Sequence, residues 1–481
     1  MVLQRILLVT FPSQGHINPA LQFAKRLISM GAHVTLLVTL HLYRRITKKI
    51  TIPGLYVLPF SDGFDAGFFP VNNTAADYHL YLSELQRRSS DFVSELIVST
   101  TAEGNPFTQV VYTLLVPWVA DVARSFNLPT ALLWIETATV LDILYYYFHG
   151  YADYINEETM AEASCSITLP GLPFSLSQRD IPSFLLQWKP TMLSFTFPAF
   201  EEQILQLDRE INPTVLVNTF EALESAALRA VDGINMIPIG PLIPSAFLDG
   251  RDPSDSCFGG DIFPLSNDYV TWLDSKEEKS VVYVSFGSYL ELSKRQMEEI
   301  ARALFDCGRP FLWVIRGKEN EEEVLELGME LEKKGKIVTW CSQVEVLSHG
   351  SVGCFVTHCG WNSTMESLVS GVPMVAFPQW TDQMTNAKLV EDVWKIGVRV
   401  DHDVNEDGIV EGKKIKRCLD VVMGSGDKAC ELRKNSQKWM GLARDAAMEG
   451  GSSENNLRAF VHHVGDKFTH TQVTPNWLGV F

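Results

Sequence analysis

The sequence has no CxxC pair, and no cysteine spacing that fits a metal site, although it carries eight cysteines in 481 residues. Scattered thiols of this kind belong to a reduced protein rather than to a disulfide-stapled secreted one. Basic runs are also missing. Forty Lys and Arg stand against 58 Asp and Glu, a net charge of −18, which argues against a nucleic-acid partner. Long apolar runs are absent too: the best candidate for a membrane span, 131–148, is interrupted by Glu136 and Asp142. The apolar stretch after Arg5 is broken by Pro12-Ser13-Gln14-Gly15-His16 before a secretory core is complete. A cytoplasmic protein with no membrane insertion is expected, and a monomer.

What is present is an alternation of strand-like and helix-like segments in a chain long enough for two domains. Arg5–Phe11, His33–Thr39, Leu55–Phe60, Gln109–Leu115 and Thr130–Ile135 read as buried strands, and Thr214–Asn218 and Met236–Ile239 complete the series. Helices are expected between them, the first from Asn18 to about Met30, after a turn PSQGHINP. Such alternation predicts parallel sheets covered on both faces. Residues 241–265 are rich in Pro, Gly, Asp and Ser and read as a linker. A second alternating series starts at Val281–Phe286. The expected division is 1–240, linker 241–265, 266–451, and a closing segment 452–481 with a helix from Ser452 to His463. The charge-rich stretch 318–336 reads as a solvated helix or loop.

The most informative stretch is Trp340–Gln383, WCSQVEVLSHGSVGCFVTHCGWNSTMESLVSGVPMVAFPQWTDQ. It runs strand, Gly-containing turn, helix start, helix, strand, which is one β-α-β unit. A helix opening on Asn362 and Ser363 presents free N–H groups and a positive dipole end, suited to a phosphate. Around it stand an aromatic ring for a base, His358 beside the turn, and Glu366 for sugar hydroxyls.

These 44 residues resemble the signature box of plant secondary-product UDP-glycosyltransferases nearly end to end, Gly350 replacing a usual Pro. The resemblance extends from QGHINP to GGSSENNL and is strongest with the branch of crocetin glucosyl-ester formers and phenolic or flavonoid O-glucosyltransferases. It implies a GT-B fold, two doubly wound Rossmann-like domains facing across a cleft, with a last helix crossing back to the first domain. The implied activity is inverting transfer of glucose from UDP-glucose to a small apolar aglycone bound by the N-terminal domain. UDP-glucose is then a co-substrate, and neither a cofactor nor a metal is expected. Asp401-His402-Asp403 has the spacing of a metal motif but sits in a polar loop sequence.

The resemblance also assigns residues. His16 becomes the general base, a role its ordinary pKa near 6.5 allows. Trp340 stacks on uracil, with the Cys341 backbone and Gln343 beside base and ribose. Glu366 takes the ribose hydroxyls, while Ser288, His358, Asn362 and Ser363 hold the diphosphate. Trp361, Asp382 and Gln383 read the sugar, and Gln at the last position implies glucose. Trp118, Glu136 and Phe200 are expected on the acceptor side.

One partner is missing. Relatives carry an Asp at the end of the fourth strand, behind the histidine; here that position is Thr113. Glu136, ending the next strand, is either a substitute for that charge or a polar wall of the pocket. A weakened UDP-sugar-binding protein and a GT-B nucleotide-sugar epimerase are the alternative readings.

Overall fold

A computed structural model describes residues 3–46, 50–68, 75–156, 165–186, 196–266, 268–316, 334–401, 405 and 408–469. Seven strands form the first sheet: β1 (Arg5–Val9), β2 (His33–Thr39), β3 (Leu55–Phe60), β4 (Gln109–Thr113), β5 (Thr130–Trp134), β6 (Thr214–Val217) and β7 (Asn235–Pro238). Their spatial order is β3-β2-β1-β4-β5-β6-β7, and each neighbouring pair is parallel. The central strands are apolar on both faces. Ile6–Val9, Val110–Tyr112 and Ala131–Trp134 are all buried, as helices on each side of a parallel sheet require. Each such Leu, Ile or Val side chain contributes roughly 1.5–3 kcal/mol by leaving water.

The second sheet contains β8 (Val281–Ser285), β9 (Phe311–Val314), β10 (Gly335–Val338), β11 (Val352–Thr357), β12 (Met374–Ala376) and β13 (Gly397–Arg399). Its order is β10-β9-β8-β11-β12-β13, again parallel throughout. Side chains alternate between two cores. Val281 and Tyr283 pack with Phe355 and Trp361 on one face, and Val282 and Val284 with Trp313 and Val356 on the other.

The first helix, α1 (Gln14–Ser29), starts four residues before the expected Asn18 and carries Pro19 inside it. Pro19 stands inside the expected helix as well. It is tolerated because the carbonyl it cannot serve, that of Gly15, accepts a hydrogen bond from elsewhere (below). The segment expected to be a linker is packed down rather than loose. Lys25 of α1 pairs with Asp255 at 2.6 Å, and a Cβ on Gly260 would meet Asn18 Oδ1 at 2.5 Å. The last helix, Ser452–Thr469, crosses back to the first sheet: Leu457, Phe460 and Val461 join its core, and Asn456 Nδ2 donates to Pro238 O at 2.9 Å. The charge-rich stretch lies outside the described residues over 318–333, as do Asp403 and the tail 470–481. Among the described residues no helix is long and apolar enough to cross a membrane.

Candidate active site

β1 and β4 are neighbours at the centre of the first sheet, and the chain leaving each of them supplies one half of a pair. His16 lies in the first turn of α1, immediately after β1. Its Nδ1 is 3.4 Å from Thr113 Oγ1, at the end of β4. Thr113 is fully buried and accepts a second hydrogen bond from the Phe11 N–H at 3.2 Å. With N–H on Nδ1, His16 keeps a lone pair on Nε2. Burial pushes its pKa down to about 3, with no carboxylate to offset the desolvation, so the ring is a neutral base in water near pH 7.

The second sheet repeats the arrangement at the same two strands. After β8 comes Gly287, and after β11 comes His358. A Cβ on Gly287, whose φ is +76°, would lie 2.7 Å from His358 Nε2, and one on Gly360 would lie 2.6 Å from it. Only glycine at both positions leaves room for the imidazole. Burial lowers the His358 pKa to about 4, and the Arg316 charge adds to that; its Nδ1 is buried without a hydrogen-bond partner. Arg316 in turn donates to the Ser288 and Leu290 carbonyls and shapes that loop. Gly360 then begins the helix α2 (Trp361–Val369). Asn362, at its second position, sends Nδ2 to the Gly15 carbonyl of α1 at 2.7 Å. Pro19 has no N–H to occupy that carbonyl, so the missing helical bond becomes a contact between the two sheets' helices.

One cavity is lined from both sides, by His16 and Glu136 on one and by Ser288, Trp340, Cys341, Gln343, His358, Trp361, Asn362, Ser363, Glu366 and Asp382 on the other. Several of these groups have unspent polar atoms: Trp340 Nε1 and Glu366 Oε2 are buried without partners. Burial pushes Glu366 up to about 8. Gln343 bridges Ser363 Oγ at 2.8 Å and the Tyr283 hydroxyl at 3.2 Å. Burial pushes the Cys341 thiol up to about 12, which disfavours its thiolate near neutral pH.

Other expected residues sit differently. The Trp361 indole N–H is already given to Asn218 O at 2.8 Å, and the residue lines the cavity. Gln383 does not line the cavity; its Oε1 accepts the N–H groups of Gln379 and Trp380 at 3.0 and 3.2 Å and holds that loop. Trp118 lies in the first core with its indole N–H on Ser89 Oγ at 2.8 Å. Phe200 stacks on Phe184, with centroids 4.5 Å apart. Neither lines the cavity that holds His16. Glu136 faces Asp382, and both burial and that neighbour raise its pKa well above the usual carboxyl range. The hydrogen-bonding neighbour of the His16 ring is Thr113.

Four lining or neighbouring residues were not anticipated. Gln14 and Asn18 flank His16 in the motif and line the cavity. Asp261, from the linker, lines it too and lies 3.4 Å from Gln14 Nε2. Phe263 packs at 4.8 Å against Trp340. Motif neighbourhood could have found the first pair; composition alone could not have found the second.

Residues 256–411 match the model of the family described as UDP-glucoronosyl and UDP-glucosyl transferase. The chain is 57% identical over 481 residues to phloretin 4'-O-glucosyltransferase of Malus domestica, covering 96% of this chain and 98% of that protein. The chain belongs to this family. It is also 54% identical over 473 residues to the crocetin glucosyltransferase, chloroplastic, of Gardenia jasminoides, covering 97% and 98%. Among solved structures, Os79 from O. sativa in complex with UDP superposes with a TM-score of 0.82 at 33% identity, covering 95% of this chain and all of that one. The two-domain GT-B fold of these UDP-glycosyltransferases is the one described above. Among the described residues of this family member, no group of three or more His, Cys, Asp or Glu is placed to hold a metal ion.

Proposed function

We propose that the protein transfers glucose from UDP-glucose to a small apolar aglycone with inversion, preferring carboxylic acids and acidic phenols to aliphatic alcohols. The observation that carries this reading is the shared cavity: His16, backed only by the Thr113 hydroxyl, faces Trp340, His358, Asn362 and Glu366. The acceptor oxygen attacks the anomeric carbon from the His16 side, the bond to the diphosphate oxygen breaks, and His16 takes the acceptor proton where one remains. UDP departs toward the α2 N-terminus, whose dipole and N–H groups stabilise the growing charge.

In this reading Trp340 stacks on the uracil, the Cys341 backbone and Gln343 flank base and ribose, and Glu366 accepts the ribose hydroxyls. Ser288, His358, Asn362 and Ser363 surround the diphosphate. Asp382 reads the sugar directly, whereas Trp361 and Gln383 act through the wall and loop that they hold. Relatives named for phloretin and for crocetin support small-molecule acceptors. Activity without a divalent cation is part of the proposal and is checked by retention in EDTA. The compartment is a reducing one, as eight free cysteines fit, and the cytoplasm is our expectation, to be read from a fluorescent fusion.

The test is a panel of UDP-glucose and UDP-galactose against a matched acid, phenol and alcohol. Glucosylation of the acid and phenol with inverted configuration supports the reading. Sugar-nucleotide isomerisation, or no transfer to any of the three, overturns it.

A further inference from the structure

The loop that brings Asp382 to the cavity, 379–382, is held from both domains. Its first two N–H groups stay within the second domain, where those of Gln379 and Trp380 go to Gln383 Oε1. The third crosses over. Thr381 N–H donates to Ser183 Oγ at 2.7 Å, and Ser183 N–H returns a bond to Thr381 O at 3.1 Å. Two bonds exchanged between one pair of residues fix orientation as well as distance.

Ser183 is itself firmly placed. It is buried, and the next residue, Phe184, stacks on Phe200 of the first core. Three residues earlier, Asp180 makes a 2.6 Å ion pair with Arg399 Nη1, both side chains almost wholly buried. The Asp180 carbonyl also accepts the Thr385 hydroxyl at 2.7 Å. The first domain therefore grips the second on both sides of Asp382, which stands at the entry to the helix α3 (Gln383–Lys388).

Thr381 needs that grip. Its φ is +58°, a left-handed conformation that a β-branched residue adopts only when its surroundings impose it. The turn at Thr381 sets the direction of the next residue. Its hydroxyl lies 2.7 Å from Asp382 Oδ1, and Asn386 Nδ2 of α3 meets Asp382 Oδ2 at 2.6 Å.

We propose that Ser183 is a positioning residue for the sugar donor: it acts across the cleft through Thr381 and keeps Asp382 aimed at a hydroxyl of the hexose. This rests on the glucosyltransferase reading above, in which Asp382 reads the sugar. The domain that carries His16 then also completes the hexose site.

A double-mutant cycle tests it. Ser183→Ala, Asp382→Ala and the pair are compared with wild type, reading the affinities for UDP-glucose and for UDP by calorimetry without acceptor. Ser183→Ala loses the Oγ acceptor and keeps the N–H bond to Thr381 O. It should weaken UDP-glucose by about three- to tenfold, the scale of one neutral hydrogen bond, while UDP, which has no hexose, binds as in wild type. Asp382→Ala should weaken UDP-glucose too. In that background Ser183→Ala should cost nothing further, because the group it aims is gone. A bond that merely supported the fold would weaken both ligands alike in either background. Equal UDP-glucose affinity in Ser183→Ala and wild type overturns the proposal. So does an equal loss of UDP, or a loss that persists undiminished beside Asp382→Ala. Full UDP-glucose affinity in Asp382→Ala overturns it from the other side, by removing Asp382 from the sugar. A wild type that binds UDP-glucose but glucosylates nothing removes the transferase reading, while the cycle still judges Ser183.

Discussion

The two halves of the cavity are built on the same plan and stocked differently. Each uses the chain leaving the first and fourth strands of an order 3-2-1-4-5 pattern: β1 and β4 in one sheet, β8 and β11 in the other. Ligands collect at such switch points in open parallel sheets. At the second site the groups are many and polar: a histidine wedged between glycines, a helix start that lines the cavity, and a carboxylate with one unpartnered oxygen. At the first, one imidazole and the hydroxyl behind it stand with Gln14, Asn18 and Glu136 along the wall. Polar groups with fixed directions specify one ligand, the nucleotide sugar. A single base specifies a reaction and leaves the acceptor to the shape of its pocket.

If labour is divided in this way, damage to one half should spare the other's ligand. His16→Ala gives the largest effect. It should lower kcat/KM for an aliphatic alcohol by about 10²–10⁴-fold, the range for a lost general base, with UDP affinity unchanged by calorimetry. A comparable loss of UDP affinity would mean that the halves are not separate. Trp340→Ala is the reciprocal case. It should weaken UDP by ~1–3 kcal/mol, the cost of one lost base stack, and leave kcat at saturating donor nearly intact. Unchanged UDP binding would remove Trp340 from the donor site.

The same division explains what could be read in the sequence. The β11–α2–β12 unit was legible because its signals are local: an apolar run, a Gly turn and a helix start within a few residues. The strands β2 and β3 fall where their apolar runs place them. The early start of α1 was not legible, because the Gly15 carbonyl that Pro19 leaves free is met by Asn362, which no local pattern could connect to it. Composition reads 241–265 as a linker, but does not tell that Asp261 lines the cavity. The indole of Trp361 is spent on Asn218, and Glu136 comes to line one cavity with Asp382. Those pairs form only when the two sheets meet, so their roles appear in three dimensions alone.

A smaller effect sharpens the acceptor side. His16 has a hydroxyl behind it where a carboxylate would stabilise the imidazolium. Thr113→Asp supplies that charge. It should raise kcat/KM for an alcohol relative to a matched carboxylic acid on the order of tenfold, the scale of one bond to a charged group. The acid arrives already ionised and needs no base. Equal gains for acid and alcohol would show that the base is not what separates them.

The smallest effect, a fraction of a proton, tests the donor side. Glu366 is buried, and its pKa is raised to about 8, so at pH 7 most of the unliganded protein holds a proton there. Ribose hydroxyls are best received by the ionised carboxylate. UDP binding at pH 7 should therefore expel part of a proton, and the binding enthalpy should differ between phosphate and Tris buffers by the difference in their protonation enthalpies. The sign follows from linkage: a proton lost on binding makes affinity rise with pH, so UDP should tighten from pH 7 to 9 and then level off. His358 works in the opposite direction. Burial and Arg316 keep its pKa near 4, and an arriving diphosphate favours its charged form, which takes a proton up. Wild type alone reports the sum of the two. Glu366→Gln removes the first and leaves the second, so the buffer dependence of wild type minus that of Glu366→Gln isolates the carboxylate. Identical buffer dependence in the two proteins, with both still binding UDP, would mean that Glu366 keeps its proton and meets the ribose as a neutral acid.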